Sequence, residues 1–339
     1  MREERLLGRR EFLRLGGASL AGAVLLGGAA CGGEGGSGEG ATRIVFSHGP
    51  EPSGVLRKQL DAFNRQHEGE IRVEWREMAA DTGQYFNQLR TEFQAGASEI
   101  DVISGDVIWP AQFAANGWIE ELSERLPESE RGKFLDAPLD ANTWEGGLYG
   151  VPWFTDAGML YYRKDLLEKS GFSGAPKTWA ELKEMALETK RRQGTEFGFV
   201  FQGAEYEGGV VNGLEYIWTH GGSVLDERAE RVVIDSPQSA AGLATERSMV
   251  EDGVSPVSVV NYKEQETHQT FIRGATVFAR NWPYMYGLIS DPKQSNVDPE
   301  QVDVAPLPHA EGRGASAASA AGTCSSTPLR RRRAPPGPS

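Results

Sequence analysis

Apolar positions along the chain recur with two periods, and the period changes from segment to segment. Over residues 54–67, Val55, Leu56, Leu60 and Phe63 keep helical spacing. Over 84–95, Phe86, Leu89 and Phe93 share one helical face. Between and around these lie strand patterns. Arg43–Ser47 is a short β-type run, Ile71–Trp75 alternates apolar and polar, and Ile100–Ile103 is a buried-type strand leading straight into Asp106. The second half behaves likewise. Met159–Arg163, Phe197–Phe201 and Thr276–Ala279 read as strands, the last running into Asn281–Tyr284. Thr178-Trp-Ala-Glu181 is a capping box that predicts a helix to about Arg192. Val210–Thr219 predicts another helix. Ser236-Pro237, a cap followed by proline at the first helical position, starts one that ends near Glu251. There are no internal repeats. Strands alternating with helices predict an α/β chain, whose ligands sit beyond strand C-termini.

The N-terminus follows different rules. Residues 1–31 read as an export signal: Arg9-Arg10-Glu-Phe-Leu13 is a twin-arginine motif, and Leu15–Ala30 is a small and apolar run of signal length. It ends in Gly28-Ala-Ala-Cys31, a lipobox-like junction with Gly28 where such boxes usually carry leucine. Cys31 is the expected lipidation site. Residues 32–41, rich in Gly, Ser and Glu, predict a flexible tether.

Composition narrows the function. With 339 residues, 39% of them hydrophobic, the chain can build two lobes, each with a core. The formal charge is −13; residues 1–30 hold five Arg and three Glu, which leaves the rest of the chain near −15. So acidic a body excludes nucleic acid and anionic membrane as electrostatic partners. Cys31 and Cys324 are the only cysteines, so no disulfide framework forms. The five histidines have no metal-ligand spacing, and no phosphate loop or Gly-x-Ser-x-Gly motif occurs, so neither metal nor cofactor is expected.

Candidate chemistry concentrates in three places. Ser104–Phe113 sets Asp106 beside Trp109, and Tyr149–Arg163 sets Asp156 beside Trp153 and Phe154. Asn281-Trp-Pro-Tyr284 repeats the aromatic theme. Carboxylates accept hydroxyl hydrogen bonds and flat rings cover the C–H faces of a sugar. Asp106, Trp109, Asp156, Glu51, Tyr206, Glu207, Trp282 and Tyr284 are therefore the candidate ligand-binding residues, with Trp282 the favoured stacking platform. Trp75, Trp118, Trp179 and Trp218 fit structural positions. Two function classes meet these demands: a non-enzymatic sugar receptor, and a secreted glycoside-acting enzyme with paired carboxylates.

These segments resemble the solute-binding proteins of carbohydrate ABC transporters, the large maltose/trehalose-binding branch, over roughly residues 43–310. The resemblance rests on Phe46–Glu51, Gly105–Phe113, Gly117-Trp-Ile119, Tyr149–Trp153, Leu160–Arg163, Thr178-Trp179 and Asn281–Tyr284, in that order. It implies a maltose-binding-protein-like (type II) two-lobe α/β fold, C-terminally incomplete. It further implies a sugar in the cleft, delivery to ABC permease subunits, a monomer, and no enzymatic activity. The expected boundaries are lobe 1 at 42–153 plus 275–310, lobe 2 at 154–274, and an aberrant tail at 311–339. Ala318–Pro328 can be encoded by codons that, regrouped one base earlier, read Leu-Gly-Gly-Trp-Asn-Leu-Phe-Ile-Asn-Pro, a motif common in that family. The tail is accordingly expected to arise from a frameshift near Ala315–Ala318.

Overall fold

Strand order decides how the chain divides. The computed structural model describes residues 41–51, 53–96 and 99–326. The leader, Cys31, nearly all of the tether and the basic tail from 327 onward lie outside the described residues. Eleven strands are described: β1 Thr42–His48, β2 Ile71–Glu77, β3 Val102–Asp106, β4 Thr143–Trp144, β5 Gly147–Leu148, β6 Val151–Ala157, β7 Met159–Arg163, β8 Phe197–Val200, β9 Thr276–Asn281, β10 Val302–Ala305 and β11 Ser319–Ser326. One five-stranded sheet has the order β2-β1-β3-β11-β6, and a four-stranded sheet the order β10-β7-β9-β8. β4 and β5 form a separate small hairpin.

The first sheet begins with parallel pairs, β1 with β2 and β3, as the βαβ pattern requires. Helix α1 (Val55–Gln66) and helix α2 (Thr82–Gln94) make those crossovers. The first-lobe core gathers Val45, Tyr85, Leu89, Ile103, Trp109 and Phe113. After β3 the short helix α3 (Pro110–Ala115) starts with proline at its first position, where no intrahelical N–H is lost.

The second sheet is buried on both faces, and the alternation of its strands shows it. Leu160, Phe199 and Phe278 enter one core with Trp179 and Leu182. Tyr161, Val200 and Ala279 point the other way, to Phe271 and Met285. Helix α4 (Trp179–Gln193) has the expected capping box, Glu181 N–H donating to Thr178 Oγ1 at 3.1 Å and Thr178 N–H to the Glu181 carboxylate at 3.1 Å. Trp179 is structural as expected, buried and stacked on Tyr216 at 4.3 Å. Four more helices follow: α5 Glu207–Thr219, α6 Pro237–Glu251, α7 Glu264–Ile272 and α8 Tyr284–Ile289.

Three segments fall elsewhere than expected. Residues 154–157, expected to open the second lobe, finish β6 in the first sheet, so the crossing comes at Gly158. Residues 275–310 are expected in the first lobe, yet β9 pairs with β7 and β8, and β10 with β7, inside the second sheet. Residues 319–326, expected within an aberrant tail, form β11 between β3 and β6 of the first sheet, antiparallel to both. A strand is held by backbone groups that every residue carries. A run of Ala, Ser, Thr and Gly can therefore sit mid-sheet without an apolar pattern. Among the described residues the chain crosses between these two sheets twice, at Gly158 and between β10 and β11.

Candidate functional site

Asp106 is the last residue of β3, at the C-terminal end of a parallel strand, where α/β sheets place their ligands. Its carboxylate accepts from Ile108 N–H at 3.1 Å and turns the chain toward α3. Burial raises its pKa above the ordinary carboxylate range. Trp109, next in the turn, is mostly a core residue. It packs edge-on to Tyr85 at 5.2 Å and against Phe86 and Phe113, and it contributes to the pocket floor. Asp81 caps α2 through Gln84 N–H at 2.9 Å and stands on the same side.

The facing wall comes from the second lobe. Tyr206 and Glu207 begin α5, and Lys263 and Glu264 begin α7. The Tyr206 hydroxyl donates to Glu264 Oε2 at 2.7 Å, and the Lys263 ammonium sits 5.0 Å over the Tyr206 ring. Lys263 also forms an ion pair with Asp81, which joins the two walls. Burial, reinforced by the charges of Asp106 and Glu264, pushes the Glu207 carboxyl up to about 7. Between the two walls lies an open pocket of about 510 Å³ whose lining includes Asp81, Ile108, Trp109, Gln112, Tyr206, Glu207 and Lys263. That volume suits a small ligand.

Trp282 follows β9 and is 7% exposed. Its Nε1–H donates to Glu264 Oε1 at 3.3 Å, so Glu264 binds Tyr206 and Trp282 together. The Arg280 guanidinium covers the indole ring at 3.9 Å. Tyr161 donates its hydroxyl to the Trp282 carbonyl at 2.9 Å, and burial, with a smaller push from the Asp156 charge, raises the Tyr161 pKa. Asp156, on β6, has its own carboxyl raised by burial. Tyr284 is more open, with its hydroxyl 2.9 Å from His268 Nδ1.

The sequence candidates thus divide. Trp109, Tyr206 and Glu207 line one pocket; Asp106 does not line it but lies near enough for its charge to act on Glu207, and Trp282 and Tyr284 join Tyr206 through Glu264. Glu51 does not line that pocket. Its two oxygens accept from Ser53 N–H at 2.8 Å and Leu56 N–H at 3.1 Å, at the start of α1. Asp81, Lys263, Glu264 and Arg280 escaped sequence reading. Asp81 and Lys263 carry only the signal of residues at helix starts, which is what they also are. Trp153 and Phe154 are exposed on β6, with Trp153 edge-on to His48 at 5.6 Å. A second cavity of about 490 Å³, beside Thr178, His220 and His309, shares none of these residues. His220 there is bonded through both ring nitrogens, to Tyr216 O at 2.7 Å and Thr245 Oγ1 at 2.9 Å. Among the described residues no group of three or more His, Cys, Asp or Glu could hold a metal ion.

The arrangement offers carboxylate acceptors, a tyrosine hydroxyl and indole faces. That set suits holding a polyol. Known proteins agree in kind. The family model for bacterial extracellular solute-binding proteins matches residues 48–327. A "Probable ABC transporter-binding protein" of Deinococcus radiodurans is 35% identical over 222 residues, 64% of this chain and 52% of that protein. The maltotriose-binding protein of Pyrococcus abyssi is 23% identical over 222 residues, 66% of this chain and 44% of that protein. The maltose-bound MalE3 structure of T. maritima is 40% identical, with a TM-score of 0.78 over 84% of this chain and 72% of that one. The chain therefore spans about half the length of the curated relatives named here. These relatives are binding proteins, not enzymes.

Proposed function

The chain belongs to the bacterial extracellular solute-binding proteins of ABC transporters, and from that premise we propose that it captures a di- or oligosaccharide of the maltose/trehalose type. The sugar lies between the lobes. Asp106 and Glu207 receive hydroxyls, Tyr206 orients them, and Trp282 and Tyr284 cover an apolar sugar face. Asp156 takes part at the margin. The closed form delivers its cargo to the permease subunits of an importer. The observation that carries this reading is the pocket itself, in which Asp81 and Trp109 of one lobe face Tyr206, Glu207 and Lys263 of the other, with the Asp106 charge near enough to act on Glu207. The 40% identity to a maltose-bound structure supports the sugar class.

The same reading places the protein outside the cytoplasmic membrane as a monomer, exported by the twin-arginine route and tethered through a lipid on Cys31. Differential affinity for the closed arrangement drives closure. Titration calorimetry of the purified mature chain with maltose and trehalose tests the cargo. Heat of binding to either, with no hydrolysis product, is the expected result. Silence toward both, together with binding of a non-sugar solute in a thermal-shift panel, overturns it.

A further inference from the structure

Glu215 and Arg280 form the most deeply buried ion pair among the described residues, at 2% side-chain exposure each. Arg280 Nε–H donates to Glu215 Oε2 at 2.8 Å and Nη2–H to Oε1 at 2.6 Å; its Nη1–H reaches Gln202 Oε1 at 3.0 Å. Gln202 returns a bond to the Arg280 carbonyl at 3.1 Å. Replacing a buried pair by apolar residues is often neutral or stabilising, so stability alone does not explain this one.

Its location does. Glu215 lies two turns into α5, the helix whose first residue is Glu207 of the pocket. Arg280 is the last residue but one of β9, and its guanidinium lies against the Trp282 ring. Glu215 Oε1 also accepts from Ala318 N–H at 3.0 Å, and Gly158 N–H donates to Ala318 O at 3.3 Å. Gly158 and Ala318 lie in the two segments that cross between the sheets. A Cβ at Gly158 would collide with the Glu215 carboxylate and stand 2.6 Å from Arg280 Nη2, so only glycine lets the crossing approach the pair.

We propose that Glu215 and Arg280 are positioning residues that bind the Trp282 platform and both inter-lobe crossings into one unit, so that a ligand pressing on Trp282 is felt at the hinge. This rests on the sugar-binding reading only in naming the ligand. The linkage itself is a property of the empty protein, and the experiment separates the two.

Hydrogen–deuterium exchange of the ligand-free full chain is compared for the parent and for the double variant Glu215→Met, Arg280→Met. Melting temperature and maltose affinity are measured on the same samples. The double variant is expected to melt near the parent. Exchange at Gly158, Ala318 and residues 280–284 should rise by about tenfold, the loss of one charge-assisted hydrogen bond, while α2 keeps its parental rate. Maltose affinity should fall with it. A double variant that melts and exchanges like the parent at all those sites overturns the proposal. If the double variant melts far lower, Glu215→Gln is read the same way. Faster exchange confined to the crossings and to 280–284 upholds the linkage, and a uniform rise that includes α2 overturns it. A parent chain that ignores maltose counts against the sugar reading alone, since the exchange comparison needs no ligand.

Discussion

Lys263 and Asp81, 182 positions apart in the chain, form an ion pair that spans the candidate pocket. Asp81 caps α2, whose Tyr85 and Leu89 pack in the first-lobe core. Lys263 introduces α7, whose Phe271 packs against Tyr161 of the second sheet. The pair therefore ties one lobe's framework to the other's at the rim of the pocket.

Opening that latch should speed ligand release. The lysine side chain is 42% exposed, so the pair is worth about 0.2–1 kcal/mol. Lys263→Asp is expected to raise the maltose off-rate up to about fivefold. Adding Asp81→Lys should restore it, and the difference should shrink in high salt. Surface-plasmon dissociation at two ionic strengths checks this; a swapped pair no slower than the single variant rejects the latch.

Trp282→Ala should remove sugar binding. An interface aromatic is often worth about 2 kcal/mol or more, about thirtyfold in affinity. Because the ring is nearly buried and covers Arg280, truncation should also lower the melting temperature. Trp282→Phe keeps apolar volume but loses the Nε1–H bond to Glu264. Calorimetry paired with a melt distinguishes the roles: normal binding by a destabilised Trp282→Ala chain makes Trp282 structural.

Glu207 makes stability depend on pH. Its folded-state carboxyl sits at about 7 rather than 4.5, so the folded protein holds this proton more tightly than the unfolded chain does. The contribution is full below pH 4.5 and is lost as pH rises through 7. Glu246, pushed by burial to about 7, acts in the same direction. Melting temperature should therefore fall from about pH 5 to about pH 8, and Glu207→Gln should remove about 2–4 °C of that fall. A parental slope in the variant would show that Glu207 is charged at neutral pH.

Cys31→Ala should release the protein from membranes, and changing Arg9 and Arg10 to Lys should block its export. Fractionation of cells expressing each variant reads both effects. Membrane retention of the Cys31 variant refutes the lipid anchor.

Much of this protein was legible along the chain. Helices α1, α2, α4 and α6 announce themselves by apolar spacing and caps, because a helix must bury one stripe and satisfy its own first N–H groups. Asp106 was legible as a strand-end carboxylate, since β3 opens on the apolar Val102 and Ile103 and closes on it. Glu51 read as a ligand group and instead serves α1, a choice between two acceptors' uses that local sequence does not distinguish.

What the sequence determined by itself is the kind and order of elements, and the aromatic and acidic residues available for a sugar. Only the tertiary structure decided that β9 and β10 join the second sheet, that β11 slides between β3 and β6, and that Asp81 meets Lys263 and Glu215 meets Arg280. The reason is physical. Periodicity records which face of an element is buried, and that information is local. Strand partners are joined by backbone groups identical in every residue, and charge pairs by groups found throughout the chain. Which of them meet is settled when distant segments close on one another.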